Sequence, residues 1–147
     1  MPDSALPFLL TSLSWATYEV WLGLRRRFAG GQARDQGTLG LLWRVLLIGI
    51  AGAVALRIGG WGRLPAPWLP VLQWAGCALI VTGLALRIWA VHVLARFFTV
   101  DVGIRADHQL VRRGPYRWVR HPSYTGVLLA FYGLGLGQGN VASLVIL

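Results

Sequence analysis

The sequence contains no lysine, a single cysteine and only five acidic residues. Because Cys77 is alone inside an apolar run, no internal disulfide framework can form, and we expect a buried structural thiol. The N-terminus carries Asp3 but no early basic residue, which argues against a cleaved signal peptide and for a retained first helix. The positive charge therefore comes entirely from 14 arginines, which leave a formal net charge of +9.

Apolar residues are the most abundant class in the sequence. They make up 56% of the 147 residues, and the mean hydropathy is +0.58. Ordinary soluble domains have an apolar share of about 45 to 50%. The composition therefore indicates a membrane protein. A pI near 11.5 is also typical of nucleic-acid-binding domains, but here the arginines lie beside apolar stretches, so we expect no nucleic-acid partner.

Four apolar stretches are long enough to cross a hydrocarbon core of roughly 30 Å. They cover residues 5–24, 39–58, about 71–94, and 122–147. The loop between the second and third is rich in Gly and Pro, and Trp61, Trp68 and Trp74 suit an interfacial aromatic belt. We predict an all-α integral membrane bundle of about four transmembrane helices, forming one domain over residues 1–147 with a cytoplasmic motif loop.

The arginines indicate the orientation of this bundle. Only Arg57 and Arg63 lie in or beside the loop after the second stretch. The loops after the first and third stretches hold ten: Arg25, Arg26, Arg27, Arg34, Arg96, Arg105, Arg112, Arg113, Arg117 and Arg120. Because cytoplasmic loops carry the excess of basic residues, we place both rich loops in the cytoplasm and the N-terminus outside.

Three ionisable residues fall inside the predicted spans: Glu19, Arg44 and Arg87. Each lies toward the cytoplasmic end of its helix, so we expect them to meet beneath the motif loop, because unpaired charges are costly there. A structural ion pair or snorkelling is favoured over a substrate role, which leaves Arg87, with Arg120, as weak substrate-binding candidates. His92 is favoured as an interfacial histidine over a ligand.

The segment between the third and fourth stretches, HQLVRRGPYRWVRHPSYTG, concentrates the polar and aromatic residues. Pro115 predicts a turn, and Pro122 suits the first position of a new helix because its missing N–H costs nothing there. His121 would then be the N-cap of that helix, next to backbone donors that favour an anion.

This segment resembles the signature of the isoprenylcysteine carboxyl methyltransferase family and its phospholipid methyltransferase relatives. The resemblance extends from about residue 71 to the end, with 1–70 matching only as two hydrophobic helices. Its submotifs are His108-x-Leu110-Val111, Gly114-Pro115-Tyr116-Arg117, Arg120-His121-Pro122-Ser123-Tyr124-x-Gly126, and the preceding Leu86-Arg87-Ile88-Trp89-Ala90 and Phe97-Phe98-Thr99.

The resemblance implies an integral membrane methyltransferase that uses S-adenosylmethionine. In that family the matching positions line the cofactor pocket: His108, Gln109, Leu110, Val111, Tyr116, His121, Pro122, Ser123 and Tyr124. No catalytic residue is assigned. His108 and His121 make a weak metal-ligand set, so no metal is expected. The run Gly133-x-Gly135-x-Gly137-x-Gly139 has neither the spacing nor the context of a nucleotide-binding loop and favours close helix packing.

The methyl acceptor stays open at this point. A prenylcysteine carboxylate is already anionic, whereas a phosphatidylethanolamine ammonium needs a base, for which Glu19 and Asp101 are the conceivable residues. Alternatives are an NADPH-dependent membrane reductase of the sterol reductase type and a non-catalytic membrane subunit that binds anionic lipid heads. Complete family members continue past the equivalent of Leu147 with an Arg and a Glu pair. We therefore expect a missing C-terminal segment or a partner chain to complete the site.

Overall fold

The protein is mostly helical over the residues that the computed structural model describes, 3–28, 38–94 and 113–146. Within these ranges there is no β-strand, only an isolated bridge between Arg63 and Asn140. The all-α prediction is therefore confirmed for this part of the chain. Its helices are α1 (Ala5–Phe28), α2 (Thr38–Gly59), α3 (Leu69–Leu94), α4 (Pro122–Gly137) and α5 (Val141–Ile146), with short 3₁₀ turns at Ala66–Trp68 and Gly114–Arg117.

The first three predicted stretches correspond to α1, α2 and α3 within a few residues. One described segment, Ala66–Leu94, is long and apolar enough to cross a membrane by length and composition, and Leu47–Gly59 is a shorter apolar helix. The prediction of four spans is therefore not confirmed. One physical reason is visible in α1, which includes Glu19 and three consecutive arginines.

The prediction of one helix over residues 122–147 is wrong. The helix α4 ends at Gly137, and Gly139 has φ +63°, a backbone conformation that L side chains rarely adopt. The Asn140 side chain then accepts a hydrogen bond of 3.1 Å from the Ser143 N–H, which starts α5. The Ser143 hydroxyl donates to a carbonyl of α2 at 2.9 Å, so the chain turns back onto α2 instead of continuing outward.

Helices α3 and α4 approach each other backbone to backbone through two pairs of glycines, seven residues apart on each helix. A Cβ on Gly76 would lie 2.6 Å from the Gly133 carbonyl oxygen, and one on Gly133 would lie 2.7 Å from that of Gly76. The second pair, Gly83 and Gly126, is closer still, since a Cβ on Gly126 would lie 2.5 Å from the Gly83 carbonyl. Any side chain at these positions would force the helices apart. The packing interpretation of the Gly133 region is confirmed.

Helix α1 runs parallel to α3 and contacts it at both ends. At one end the Ser4 hydroxyl donates to Gln73 Oε1 at 2.6 Å, and at the other end Glu19 pairs with Arg87. Fifteen residues separate the two contact points on α1, and fourteen separate them on α3, so the two helices stay in register over about 20 Å.

Apolar side chains from α1, α3 and α4 fill the space between these contacts. Trp15 packs edge-to-face on Phe131, with ring centroids 4.9 Å apart, next to the fully buried Ile80. Cys77 is a buried free thiol in this cluster, as predicted. The outer surface is apolar as well: Ile48 and Trp61, for example, are 72% and 74% exposed.

We expect Gly83→Ala to destabilise the protein, because the new methyl group would overlap the Gly126 carbonyl and push α4 away from α3. The overpacking should lower the free energy of unfolding by about 1 to 3 kcal/mol. The matched control is Gly52→Ala in α2, where a Cβ would meet nothing within 4 Å. Thermal unfolding in detergent micelles measures both, and equal midpoints for the two variants would contradict the proposed close approach.

Candidate functional site

The start of α4 has the geometry that its prolines predict. His121 is the N-cap residue and Pro122 is the first helical residue, which confirms both predictions. The first helical hydrogen bond, from the Thr125 N–H to the His121 carbonyl, measures 3.0 Å. The N–H groups of Ser123 and Tyr124 precede this bond and have no acceptor within the helix. N–H groups at this position of a helix favour an anionic group.

The turn Gly114–Arg117 lies against the last turn of α3. Gly114 has φ +59°, and a Cβ there would come within 2.8 Å of Val93 Cγ2, so only glycine permits this approach. Pro115 is buried, which confirms that it lies in a turn. The Tyr116 hydroxyl donates to the Ala90 carbonyl at 3.4 Å. Burial raises the pKa of Tyr116, so the phenol stays protonated at neutral pH and can act only as a neutral group.

Beneath these two elements, Arg87 joins three helices. Its Nη2 donates to Glu19 Oε2 at 2.6 Å, and its Nε also contacts the Glu19 carboxylate. Its Nη1 donates to the Ser123 hydroxyl at 2.8 Å and to the Ser123 carbonyl at 3.3 Å. The predicted meeting of Glu19 and Arg87 is confirmed. Arg44 lies on α2 and is exposed.

This arrangement uses the planar fork of an arginine, which can hold a carboxylate in two places and still reach a third acceptor. The side chains of Arg87 and Glu19 are only 12% and 15% exposed. Removing one partner would leave the other charge with little access to water, at a cost of about 3 kcal/mol.

The structure brings together some of the predicted cofactor residues. His108, Gln109, Leu110 and Val111 lie outside the described residues, as does Asp101. Of the others, Pro122 and Ser123 are buried, while His121 and Tyr124 are exposed, with their rings in edge contact at 6.2 Å. The Tyr116 ring packs against α3, and among the described residues it makes no ring contact with His121 or Tyr124.

Of the motif residues that the structure describes, His121 and Tyr124 lie at the protein surface. An open groove of about 590 Å³ lies elsewhere, along the outer face of α1. Its lining is Leu10, Leu13, Ser14, Thr17, Tyr18 and Trp21. None of the motif residues lines it, so we give it no role in the chemistry of the motif.

Sequence reasoning missed two features of the site. Trp118 is 72% exposed and lies 6.1 Å from Trp89, between ring centroids, with the Arg117 guanidinium 6.0 Å from the Trp118 ring. The hydrogen bonds from Arg87 to Ser123 were also not predicted. No local sequence pattern predicts either feature, because each depends on a contact between residues that are about 30 positions apart in the chain. Arg120, a weak substrate-binding candidate, is exposed.

The described residues have the chemistry to hold part of S-adenosylmethionine. The free N–H groups of Ser123 and Tyr124 suit its carboxylate, and the exposed Tyr124 ring offers an aromatic face for its sulfonium cation. His121 adds a polar contact beside both. The residues assigned to the adenine, Leu110 and Val111, lie outside the described residues. The fit therefore concerns the amino acid portion of the cofactor.

Comparisons with known proteins identify the family of this chain. The phospholipid methyltransferase family model matches residues 71–147, a little over half of the chain. Protein-S-isoprenylcysteine O-methyltransferase of Saccharomyces cerevisiae is 40% identical over 73 residues, covering 48% of this chain and 30% of the yeast protein. Protein-S-isoprenylcysteine O-methyltransferase B of Arabidopsis thaliana is 41% identical over 56 residues, covering 37% of this chain and 28% of the plant protein.

A third relative, the uncharacterized protein YpbQ of Bacillus subtilis, is 30% identical over 68 residues, covering 46% of this chain and 38% of its own length. The matches thus span about a third of the length of these relatives. No solved structure matches this chain. Because the family match takes in more than half of the chain, including α3, α4 and the described part of the motif, this chain belongs to the phospholipid methyltransferase family, which includes the isoprenylcysteine methyltransferases.

Proposed function

We propose that this protein transfers a methyl group from S-adenosylmethionine to the carboxylate of an isoprenylcysteine-type acceptor within a membrane. The names of the yeast and plant relatives support the reaction class. The observation that carries the choice of acceptor is the ion pair between Glu19 and Arg87. Both oxygens of this carboxylate contact the guanidinium, so Glu19 is not available as a general base.

A carboxylate acceptor does not need such a base. When bound, S-adenosylmethionine supplies an electrophilic methyl group on a sulfonium. In this assignment, the first turn of α4 holds the amino acid carboxylate of the cofactor and Tyr124 lies against the cation. The acceptor carboxylate is already ionised at neutral pH, so the protein has only to align it with the methyl group and exclude water.

Phospholipid N-methylation is the second candidate, and the description of the family model favours it. That reaction requires deprotonation of an ammonium. Among the described residues the only carboxylates are Asp3, next to the N-terminus, and the paired Glu19, so this part of the chain offers no free base near the motif. None of the three relatives reported above is named as a reductase, so the comparisons give that alternative no support.

A membrane location follows from the same features. Ala66–Leu94 can span a bilayer, and bulky apolar side chains cover the outer faces of the helices. The exposed residues Arg113, Arg117 and Arg120 lie at the end of the bundle where Glu19 meets Arg87. We propose that this end faces the cytoplasm, in line with the excess of basic residues on that side of membrane proteins. A lipid-like acceptor would then reach the site from the bilayer.

Photocrosslinking of radiolabelled S-adenosylmethionine tests the cofactor site. We expect Tyr124→Ala to reduce labelling roughly fivefold, because it removes the aromatic face next to the sulfonium. The matched control is Tyr132→Ala on the same helix, since the two tyrosines are 65% and 60% exposed. Equal labelling of the two variants and the wild type would exclude a cofactor site at Tyr124.

The acceptor is tested by the stability of the product toward alkali. With tritiated cofactor in lipid nanodiscs, we expect label to be transferred to a farnesylcysteine analogue and to be released as volatile methanol on treatment with base, because methyl esters hydrolyse. Transfer to phosphatidylethanolamine would instead give an alkali-stable N-methyl product. Detection of this N-methyl product without any methyl ester would show that the acceptor is the phospholipid and not the prenylcysteine carboxylate.

A further inference from the structure

The link from Glu19 through Arg87 to Ser123 connects the motif to a helix outside the family match. The match begins at residue 71, whereas Glu19 lies in α1. The three side chains belong to three different helices: Arg87 Nη2 donates to Glu19, Arg87 Nη1 donates to Ser123, and Nε lies in ion-pair contact with the Glu19 carboxylate. Three helices therefore meet at one largely buried charge, beside the first turn of α4.

We propose that Glu19 is a positioning residue of the cofactor site and acts through Arg87 on Ser123. This inference rests on the proposed function, because it assigns a role within the same site. Glu19 holds the guanidinium on two of its nitrogens, and this leaves Nη1 directed at Ser123. The bond to the Ser123 hydroxyl occupies one of that oxygen's lone pairs, so the hydroxyl hydrogen must point elsewhere.

The consequence concerns the first turn of α4. Ser123 is the second residue of that helix, and Arg87 holds both its carbonyl and its hydroxyl. The free N–H groups of Ser123 and Tyr124, which we assign to the carboxylate of the cofactor, belong to this same turn. Holding Ser123 therefore orients these donors before the cofactor arrives, so that less freedom is lost on binding.

The contacts of residue 87 with both Glu19 and Ser123 require a side chain with separate donor nitrogens, as in the guanidinium of arginine. A lysine at position 87 would keep the positive charge near Glu19, but its single nitrogen cannot occupy both the position of Nη2 beside Glu19 and that of Nη1 beside Ser123. Arg87→Lys should therefore retain much of the charge compensation and lose the orientation of α4. This separates a role in positioning from a role in stability alone.

The experiment measures binding of S-adenosylmethionine by equilibrium dialysis and the Michaelis constants for cofactor and acceptor. We expect Glu19→Gln and Arg87→Lys each to weaken cofactor binding roughly tenfold, about the worth of one charge-assisted hydrogen bond, while the Michaelis constant of the acceptor stays unchanged. Glu19→Asp, which keeps the carboxylate, should restore part of the affinity. A Glu19→Gln, Ser123→Ala double variant should bind the cofactor no more weakly than the single variant with the lower affinity, because both substitutions break the same chain of contacts.

The matched control is Ser4→Ala. It removes the 2.6 Å bond to Gln73, which joins the same two helices at their other end. This variant should lower the unfolding temperature without changing the affinity for the cofactor. Equal losses of affinity in Ser4→Ala and Glu19→Gln, no loss in either, or additive losses in the double variant would each overturn the positioning role.

A second readout does not depend on the cofactor. Amide hydrogen exchange of the peptide covering residues 119–127, measured without cofactor, should be roughly fivefold faster in Glu19→Gln than in the wild type and unchanged in Ser4→Ala. If the wild type binds no S-adenosylmethionine, the proposed function fails, and the exchange data still decide the structural part of the inference. Unchanged exchange in Glu19→Gln overturns that part.

Discussion

The close approach of α3 and α4 is the constraint on which the rest of the structure depends. With Gly83 and Gly126 at the crossing, the backbones touch without intervening side chains. A Cβ on Gly126 would lie 3.0 Å from the backbone nitrogen of Arg87, so the arginine starts at the crossing itself. Ser123 is one helical turn before Gly126. The guanidinium therefore reaches Ser123 directly and still has two nitrogens left for Glu19.

This packing explains how a charged group is stable among apolar helices. An isolated guanidinium in hydrocarbon is costly, but here the Glu19 carboxylate and the oxygens of Ser123 replace the water that it has lost. The same contacts leave the upper side of the first turn of α4 free. His121 and Tyr124 are exposed beside this turn, where we propose that they bind the cofactor.

Much of the local structure was predictable from the sequence. Helix bounds follow from long apolar stretches, and the start of α4 follows from His121-Pro122, since proline tolerates only the first turn of a helix. The pairing of Glu19 with Arg87 was predictable because opposite charges at the same depth in an apolar bundle are costly unless they pair. The end of α4 was missed, because the prediction followed the overall hydropathy of residues 122–147 and gave no weight to the short polar turn Gln138-Gly139-Asn140 within it.

The sequence by itself determined that the chain is helical and apolar, that its motif carries an N-capped helix after a proline turn, and which family it belongs to. These properties depend on local backbone preferences and on residue order. Only the tertiary structure decided that Arg87 holds Ser123, that Trp118 lies beside Trp89, and that Tyr116 packs on α3 while Tyr124 stays exposed. Such contacts join residues distant in sequence, and they depend on how closely two helices approach, which the glycines permit but which only the packed side chains define.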